Sequence, residues 1–171
     1  CGRGEGLSGE AAAGVQRPVS SDASAAVTVS AVAAAMWQSD RACQALGMEL
    51  VSVDLGSAQM VMTVNGDMVN GHGICHGGFL FTLADSAFAY ACNSRNLVTV
   101  ASGARIDFLR PAHLDEQLMA TALVVHQGKR SGIYDVTVTN EAGDCIAQFR
   151  GNSTTIGDEI VRPDSAEVAN D

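Results

Sequence analysis

The chain has 171 residues and a net charge of −9, and 47% of its residues are hydrophobic. This length suits one domain with a substantial core. The acidic balance argues against a nucleic-acid-binding surface, which needs clustered Lys and Arg, and the absence of a run of about 18 apolar residues argues against a transmembrane helix.

The cysteines indicate the compartment. They are odd in number and widely scattered, which favours free thiols in a reducing environment over a disulfide framework. No basic stretch followed by an apolar stretch marks a secretory signal in the first residues. We therefore expect a cytoplasmic protein. The five positions are Cys1, Cys43, Cys75, Cys92 and Cys145.

The two ends of the chain differ from its middle. Residues 1–28 are rich in Gly, Ala and Ser and have no hydrophobic period, which predicts a disordered N-terminal extension. Residues 158–171 are acidic and polar and predict a disordered tail. The folded domain is expected over 29–157.

The first predicted elements are a helix and a hairpin. Residues 29–45 are good helix formers, with Ser30 as a possible cap and Gly47 as a stop. Residues 49–64 alternate loosely and turn at Gly56-Ser57, which predicts a β-hairpin.

A glycine-rich loop then leads into an apolar helix that ends near Asn93, and strands follow. Arg110-Pro111 closes the first of these strands, because proline does not continue a central strand. One long buried helix with consecutive strands predicts an α+β fold with an antiparallel sheet around the helix. The strands are expected over 99–109, 117–127, 132–140 and 145–155.

Asp85 is a lone carboxylate in the apolar helix. An ionised carboxylate in such a place is costly unless it is paired, so its pKa shifts, and such groups are candidate catalytic residues. The alternative is an acid that meets a polar partner and does no chemistry. The same helix starts at Gly77-Gly78, where free backbone N–H groups point into the loop.

The loop over 70–78 fits several motifs poorly. Its glycines lack the dinucleotide-binding spacing, and no βαβ unit follows. His72 stands where a c-type haem site needs its first cysteine. His72, Cys75 and His76 are zinc-ligand types, but no further pair has ligand spacing. A nucleophilic Cys75–His76 pair has only sequence adjacency in its favour.

Three stretches together resemble a known family. They are NGHGICHGGFLFTLADSAFAYACN (70–93), IDFLRPA (106–112) and HQGKRSGIYDV (126–136). They are similar to the hotdog-fold acyl-CoA thioesterases, in particular the phenylacetate-degradation branch (the PaaI proteins), over about 37–157. The resemblance implies a curved antiparallel sheet wrapped around a long central helix, and a homodimer or homotetramer with its sites at subunit interfaces.

The resemblance also implies the roles of individual residues. Expected catalytic residues are the helical acid, the glycine that starts the helix, the loop amide and the loop histidine, which are Asp85, Gly77, Asn70 and His76. Expected substrate contacts are a strand hydroxyl and cations for the CoA phosphates, although the turn at 129–130 is also typical of a solvated hairpin turn. These residues are Ser102, Arg105, Lys129 and Arg130.

The implied reaction is hydrolysis of an acyl-CoA thioester, with (hydroxy)phenylacetyl-CoA as the expected substrate and no cofactor, since coenzyme A is part of the substrate. Asp85 is either the nucleophile or the general base for water. Two alternatives are a hotdog hydratase or dehydratase, against which the absence of histidine between Phe79 and Cys92 weighs, and a non-catalytic acyl-CoA-binding module. The side chains that meet the acyl group are left open among Phe79, Leu83, Met68 and Tyr90.

Overall fold

The computed structural model describes residues 22–162. None of the helices in this range has the length and apolar character that crossing a membrane requires. The elements are α1 Asp22–Ser39, α2 Arg41–Ala45, β1 Glu49–Asp54, β2 Ser57–Thr63, a 3₁₀ turn Gly66–Met68, α3 Gly77–Asn93, β3 Thr99–Phe108, β4 Gln117–Gln127, β5 Ser131–Asn140 and β6 Cys145–Thr155.

The six strands form one antiparallel sheet in the order β1-β2-β4-β5-β6-β3. The hairpins β1–β2, β4–β5 and β5–β6 are local, whereas β3 pairs with β6. β3 is therefore an edge strand, and eight of its ten residues are exposed. A long exposed edge offers unpaired backbone groups to another strand.

Alternation along β5 shows how the sheet meets the core. Tyr134, Val136 and Val138 are fully buried, while Asp135 and Thr137 between them are partly exposed on the other face. The strand begins within one residue of the predicted range 132–140 and ends with it. The antiparallel α+β architecture is likewise as predicted.

α3 packs across the buried face of the sheet. Leu83, Ala84 and Ala87 are fully buried against the strands. The side of the helix that carries Gly78 and Asp85 is less covered, since Gly78 is exposed and Asp85 half-buried in the single chain. The prediction of a buried helix is thus confirmed for the face that meets the sheet.

The first helix begins earlier than predicted. α1 begins at Asp22, so Ser30 lies inside the helix and does not cap it. The helix also breaks at Asp40, whose carboxylate accepts a hydrogen bond from the N–H of Cys43 at 3.1 Å and so caps α2. The predicted extension over 1–21 lies outside the described residues.

The predicted tail over 158–171 is described only for its first five residues. Residues 158–162 hold a defined position, because the N–H of Val98 bonds the carbonyl of Asp158 and the N–H of Val161 bonds Oδ1 of Asn96, each at 2.9 Å. Residues 163–171 lie outside the described part of the chain.

Candidate active site

The loop before α3 is anchored at several points. The N–H of Cys75 bonds the carbonyl of Ala112 and the N–H of His76 bonds the carbonyl of Met68, each at 2.8 Å. Oδ1 of Asn70 accepts the N–H of His72 at 2.9 Å, which closes the turn. The Nδ2 group of Asn70 has no acceptor among residues 22–162 and is available to donate to a ligand or a second chain.

The start of α3 has one free backbone donor. Nδ1 of His76 accepts the N–H of Gly78 at 3.0 Å, and the carbonyl of His76 accepts the N–H of Phe79 at 2.9 Å. No acceptor within the described chain takes the N–H of Gly77. This N–H lies at the positive end of the helix dipole, so it suits an oxygen that gains negative charge.

Asp85 lies two turns further along α3 and has no partner. It is half-buried, and among residues 22–162 no donor forms a hydrogen bond or ion pair with its carboxylate. Burial raises the pKa of the Asp85 carboxyl above its ordinary range, since desolvation disfavours the charged form. A half-buried acid without a partner is a candidate for chemistry.

One chain does not bring these two groups together. Gly77 and Asp85 are eight residues apart in α3, which at 1.5 Å per residue separates their Cα atoms by about 12 Å along the axis. Groups that act on one carbonyl need reacting atoms about 3–3.5 Å apart. The short Asp85 side chain does not span this gap, so Gly77 and Asp85 of one chain do not reach the same carbonyl group.

A cavity of about 630 Å³ opens beside the free N–H. Asn70, His72 and Gly77 contribute its polar rim, and apolar side chains including Leu80 and Phe108 form its wall. Pockets of this kind, mostly apolar with a few placed polar groups, are typical of small-molecule sites.

α3 and β3 run in opposite directions alongside each other. Asn93, at the end of α3, exchanges hydrogen bonds of 2.8 and 2.9 Å with the backbone of Thr99, where β3 begins. The other end of β3 meets Gly77 through Phe108. The middle of β3 therefore lies beside the middle of α3, where Asp85 is.

Ser102 lies in that central part of β3. It is the extra residue of a β-bulge, since the pairing with β6 shifts between Ala101 and Gly103. Its hydroxyl donates to the carbonyl of Asn152 at 3.2 Å and is exposed. Bulges re-aim side chains and are common beside active sites.

The predicted cations are not brought together in one chain. Arg105 pairs across the ladder with Arg150, whereas Ser131, next to the Lys129-Arg130 turn, pairs with Thr154. Those partners are four residues apart on β6, about 13 Å along the strand. Arg105 also forms an exposed ion pair with Asp107 at 2.9 Å.

Comparison with known proteins identifies the family. A model described as the thioesterase superfamily matches residues 72–147. The acyl-coenzyme A thioesterase PaaI of Escherichia coli is 52% identical over 126 residues, which are 74% of this chain and 90% of that protein. The chain belongs to the thioesterase superfamily.

Solved structures of relatives agree with this assignment. The E. coli PaaI protein from the phenylacetic acid degradation operon matches with a TM-score of 0.77 and 49% identity, over 78% of this chain and 96% of that one. A Streptococcus mutans protein bound to acetyl-CoA matches with a TM-score of 0.64 and 27% identity, over 66% and 90%. The predicted family, hotdog fold and thioester-hydrolase class are confirmed.

The geometry does not favour a zinc site or a nucleophilic cysteine in the loop over 70–78, nor a hydratase site. Among residues 22–162 no group of three His, Cys, Asp or Glu side chains is placed to hold a metal ion. Burial raises the pKa of the Cys75 thiol to about 11, which suits a packed side chain better than a nucleophile. α3 contains no histidine, as the hydratase alternative would need.

Sequence reasoning missed Phe108. Of the side chains considered for the acyl pocket, Leu83, Met68 and Tyr90 are at most 2% exposed and lie in the core. Phe108 lines the cavity instead, because the antiparallel packing of α3 and β3 carries it to Gly77. No local pattern in the sequence encodes that packing.

Proposed function

We propose that this thioesterase hydrolyses acyl-CoA esters, with phenylacetyl-CoA and its hydroxylated forms as substrates, and returns free CoA during phenylacetate catabolism. The observation that carries the proposal is the free N–H of Gly77 at the start of α3, which opens into an apolar cavity. The reactions named for the E. coli relative and the acetyl-CoA bound by the S. mutans relative supply the substrate class.

In this mechanism the thioester carbonyl oxygen accepts the N–H of Gly77. The helix dipole strengthens this hydrogen bond as negative charge develops on the oxygen, and such a donor contributes about 2.7–4 kcal/mol to rate acceleration. The anchored loop and the His76 cap hold the donor in place without rearrangement.

Asp85 of a second chain supplies the other half of the reaction. Its carboxylate either takes a proton from water, which adds to the carbonyl carbon, or adds itself and is later released by water. In the first route the C–S bond breaks and the Asp85 carboxyl passes its proton to the leaving thiolate. In the second the C–S bond breaks to leave a mixed anhydride, which water splits, and a proton from water goes to the thiolate. Both routes consume one water and give the carboxylic acid and the thiol of CoA. Nδ2 of Asn70 donates to the water, the carboxylate or the carbonyl.

The smallest assembly with complete sites is a homodimer built through β3. This edge strand is exposed along most of its length, and a two-fold axis would pair it with its own copy. Each dimer then has two sites, each with Gly77 from one chain and Asp85 from the other. A homotetramer would consist of two such dimers.

The CoA moiety is assigned to exposed groups around this interface. Arg105, Lys129 and Arg130 are exposed cations suited to its phosphates, and the Ser102 hydroxyl projects from the bulge beside the reacting centre. Because Arg105 and the 129–130 turn are about 13 Å apart along β6 in one chain, the proposal assigns them to different parts of the CoA moiety or to different protomers.

A cytoplasmic location is part of the same proposal. The four cysteines within residues 22–162 are all free thiols, which fits a reducing compartment.

The proposal is tested by mixing two inactive chains. Asp85→Asn removes the acid and Gly77→Pro removes the donor. A mixed dimer carries both faults in one site and none in the other. With random pairing, half of the dimers are mixed, so thiol release from phenylacetyl-CoA should recover to about a quarter of the wild-type rate. No recovery, with mixed dimers isolated by two affinity tags, would refute the shared site.

A further inference from the structure

The ring of Phe108 lies directly against the glycine that offers the free N–H. A methyl group placed on Gly77 would lie 2.8 Å from Cζ of Phe108 and 3.2 and 3.3 Å from its Cε1 and Cε2. The tip of the ring therefore points at the Cα of Gly77. The contact joins the end of β3 to the start of α3.

This contact explains why residue 77 has no side chain. The backbone of Gly77 is not in the left-handed region that favours glycine, unlike that of Gly73, whose φ is +76°. A side chain at 77 would instead collide with Phe108. The two residues form one unit, and a change at either position affects the other.

Phe108 is a large aromatic side chain that is exposed in the single chain. It is 54% exposed at the end of β3 and lines the 630 Å³ cavity, with Leu80 and Ile74 in the same wall. Phe79, the remaining side chain considered from sequence, is half-buried with its ring 6.4 Å from that of His76, and it does not line the cavity.

We propose that Phe108 determines the acyl specificity of the enzyme by selecting aryl acyl groups. This inference rests on the proposed function, and it assigns the selectivity to one side chain. A carbonyl oxygen held about 2.7–3.1 Å from the N of Gly77 places the start of the acyl group beside the Phe108 ring. A phenyl group one methylene beyond the carbonyl then meets that ring in the edge-to-face or offset arrangement that aromatic pairs prefer.

The test compares two esters with the same number of acyl carbons, phenylacetyl-CoA and octanoyl-CoA. The readout is the ratio of their kcat/KM values, which a purely structural defect would leave unchanged because both values would fall together. Phe108→Leu keeps apolar bulk and loses the aromatic ring. The phenylacetyl-to-octanoyl ratio should fall about three- to tenfold in this variant.

Leu55→Ala is the matched control. Leu55 is as exposed as Phe108, at 54%, and lies in the β1–β2 turn outside the cavity, so its variant should keep the wild-type ratio. Light scattering on each variant checks that assembly is retained.

A double-mutant cycle tests the coupling with Gly77. Gly77→Ala should push the ring aside and lower the ratio in the wild-type background, and it should change the ratio little once Phe108→Leu has removed the ring. An equal loss on both esters in Phe108→Leu overturns the assignment and leaves the proposed function intact. A wild-type protein that releases thiol from neither ester overturns both.

Discussion

Nδ1 of His76 accepts the N–H of Gly78 at 3.0 Å, and the N–H of Gly77 before it has no acceptor within residues 22–162. The carbonyl of His76 takes the next N–H, that of Phe79. The histidine thus accepts the N–H groups of Gly78 and Phe79 and leaves the N–H of Gly77 for a ligand. An electrostatic site of this kind is set before substrate arrives, which is the condition for effective oxyanion stabilisation.

The first prediction separates capping by His76 from base catalysis. His76→Asn keeps a good capping acceptor, whereas His76→Ala loses it at a cost of about 0.5–2 kcal/mol in stability. We expect the Asn variant to retain most of kcat and the Ala variant to lose both melting temperature and activity. If the imidazole is the base, both variants should instead lose kcat equally, by about 10²–10⁴-fold.

The second prediction isolates the N–H of Gly77. Proline is tolerated at the first position of a helix, and His76 has the extended backbone, φ −66° and ψ 133°, that a following proline requires. Gly77→Pro should therefore fold but lose its donor. Gly77→Ala is the control, since it adds a similar collision with Phe108 and keeps the N–H. We expect kcat of the Pro variant to be about 10²–10³-fold below that of the Ala variant, measured by thiol release.

The regular elements of the fold could be predicted from sequence because local signals mark them. β4 and β6 begin and end where alternation and turn residues place them, and α3 ends at Asn93 as expected. The break between α1 and α2 is not predicted, because Asp40 is typical of an exposed residue within a helix. The cap to Cys43 is local, but the contact of Asp40 with Tyr90, fifty residues away, follows only from the folded chain.

Some residues of the candidate site are predictable from sequence and others are not. One short segment with a recognisable pattern contains Asn70, Gly77 and Asp85, so the sequence predicts them as site residues. Phe108 reaches Gly77 only through the packing of a strand on a helix, and the 12 Å gap between Gly77 and Asp85 follows from helix geometry. Contacts between distant segments have no local signature.

The third prediction concerns stability away from the site. The Asp40 carboxylate accepts the N–H of Cys43 and the hydroxyl of the buried Tyr90, each at 3.1 Å. Asp40→Ala loses the cap and leaves the hydroxyl without its partner, which should cost about 2 kcal/mol and lower Tm by roughly 4–8 °C. Asp54→Ala, at an exposed position with no side-chain partner in the described chain, should change stability by less than about 0.5 kcal/mol. Equal Tm values for the two variants would contradict the capping role.

The fourth prediction is that Asp85→Asn abolishes turnover and leaves the fold intact. The amide keeps the shape of the side chain but neither attacks a carbonyl nor accepts a proton from water. We expect kcat to fall by at least about 10²–10⁴-fold, with thermal stabilisation by CoA esters retained. Asp54→Asn, which changes the same charge at an exposed site, controls for net charge. Near-normal turnover by the Asn variant would remove Asp85 from the mechanism.

The fifth prediction is the pH dependence of activity. Burial raises the pKa of Asp85, and the carboxylate is the reactive form in either mechanism. The acid limb of kcat/KM should therefore have its midpoint above the value of about 3.9 for an ordinary Asp. A limb at or below that value would show that another group controls the rate.

The pKa of Asp85 is raised and that of Asp135 is lowered, so the two carboxyl groups change the free energy of unfolding in opposite directions as pH rises. Because the pKa of Asp85 is higher in the folded than in the unfolded chain, its favourable contribution is present below about pH 3.9 and is lost as pH rises through the folded value. Asp85→Asn should therefore gain stability relative to wild type as pH rises. The Arg150 guanidinium lowers the pKa of Asp135, so the wild type gains stability from this pair as pH rises. Asp135→Asn should therefore become less stable relative to wild type as pH rises. Denaturant unfolding of both variants from acid to neutral pH measures the two slopes, and slopes of the same sign would contradict the assigned causes.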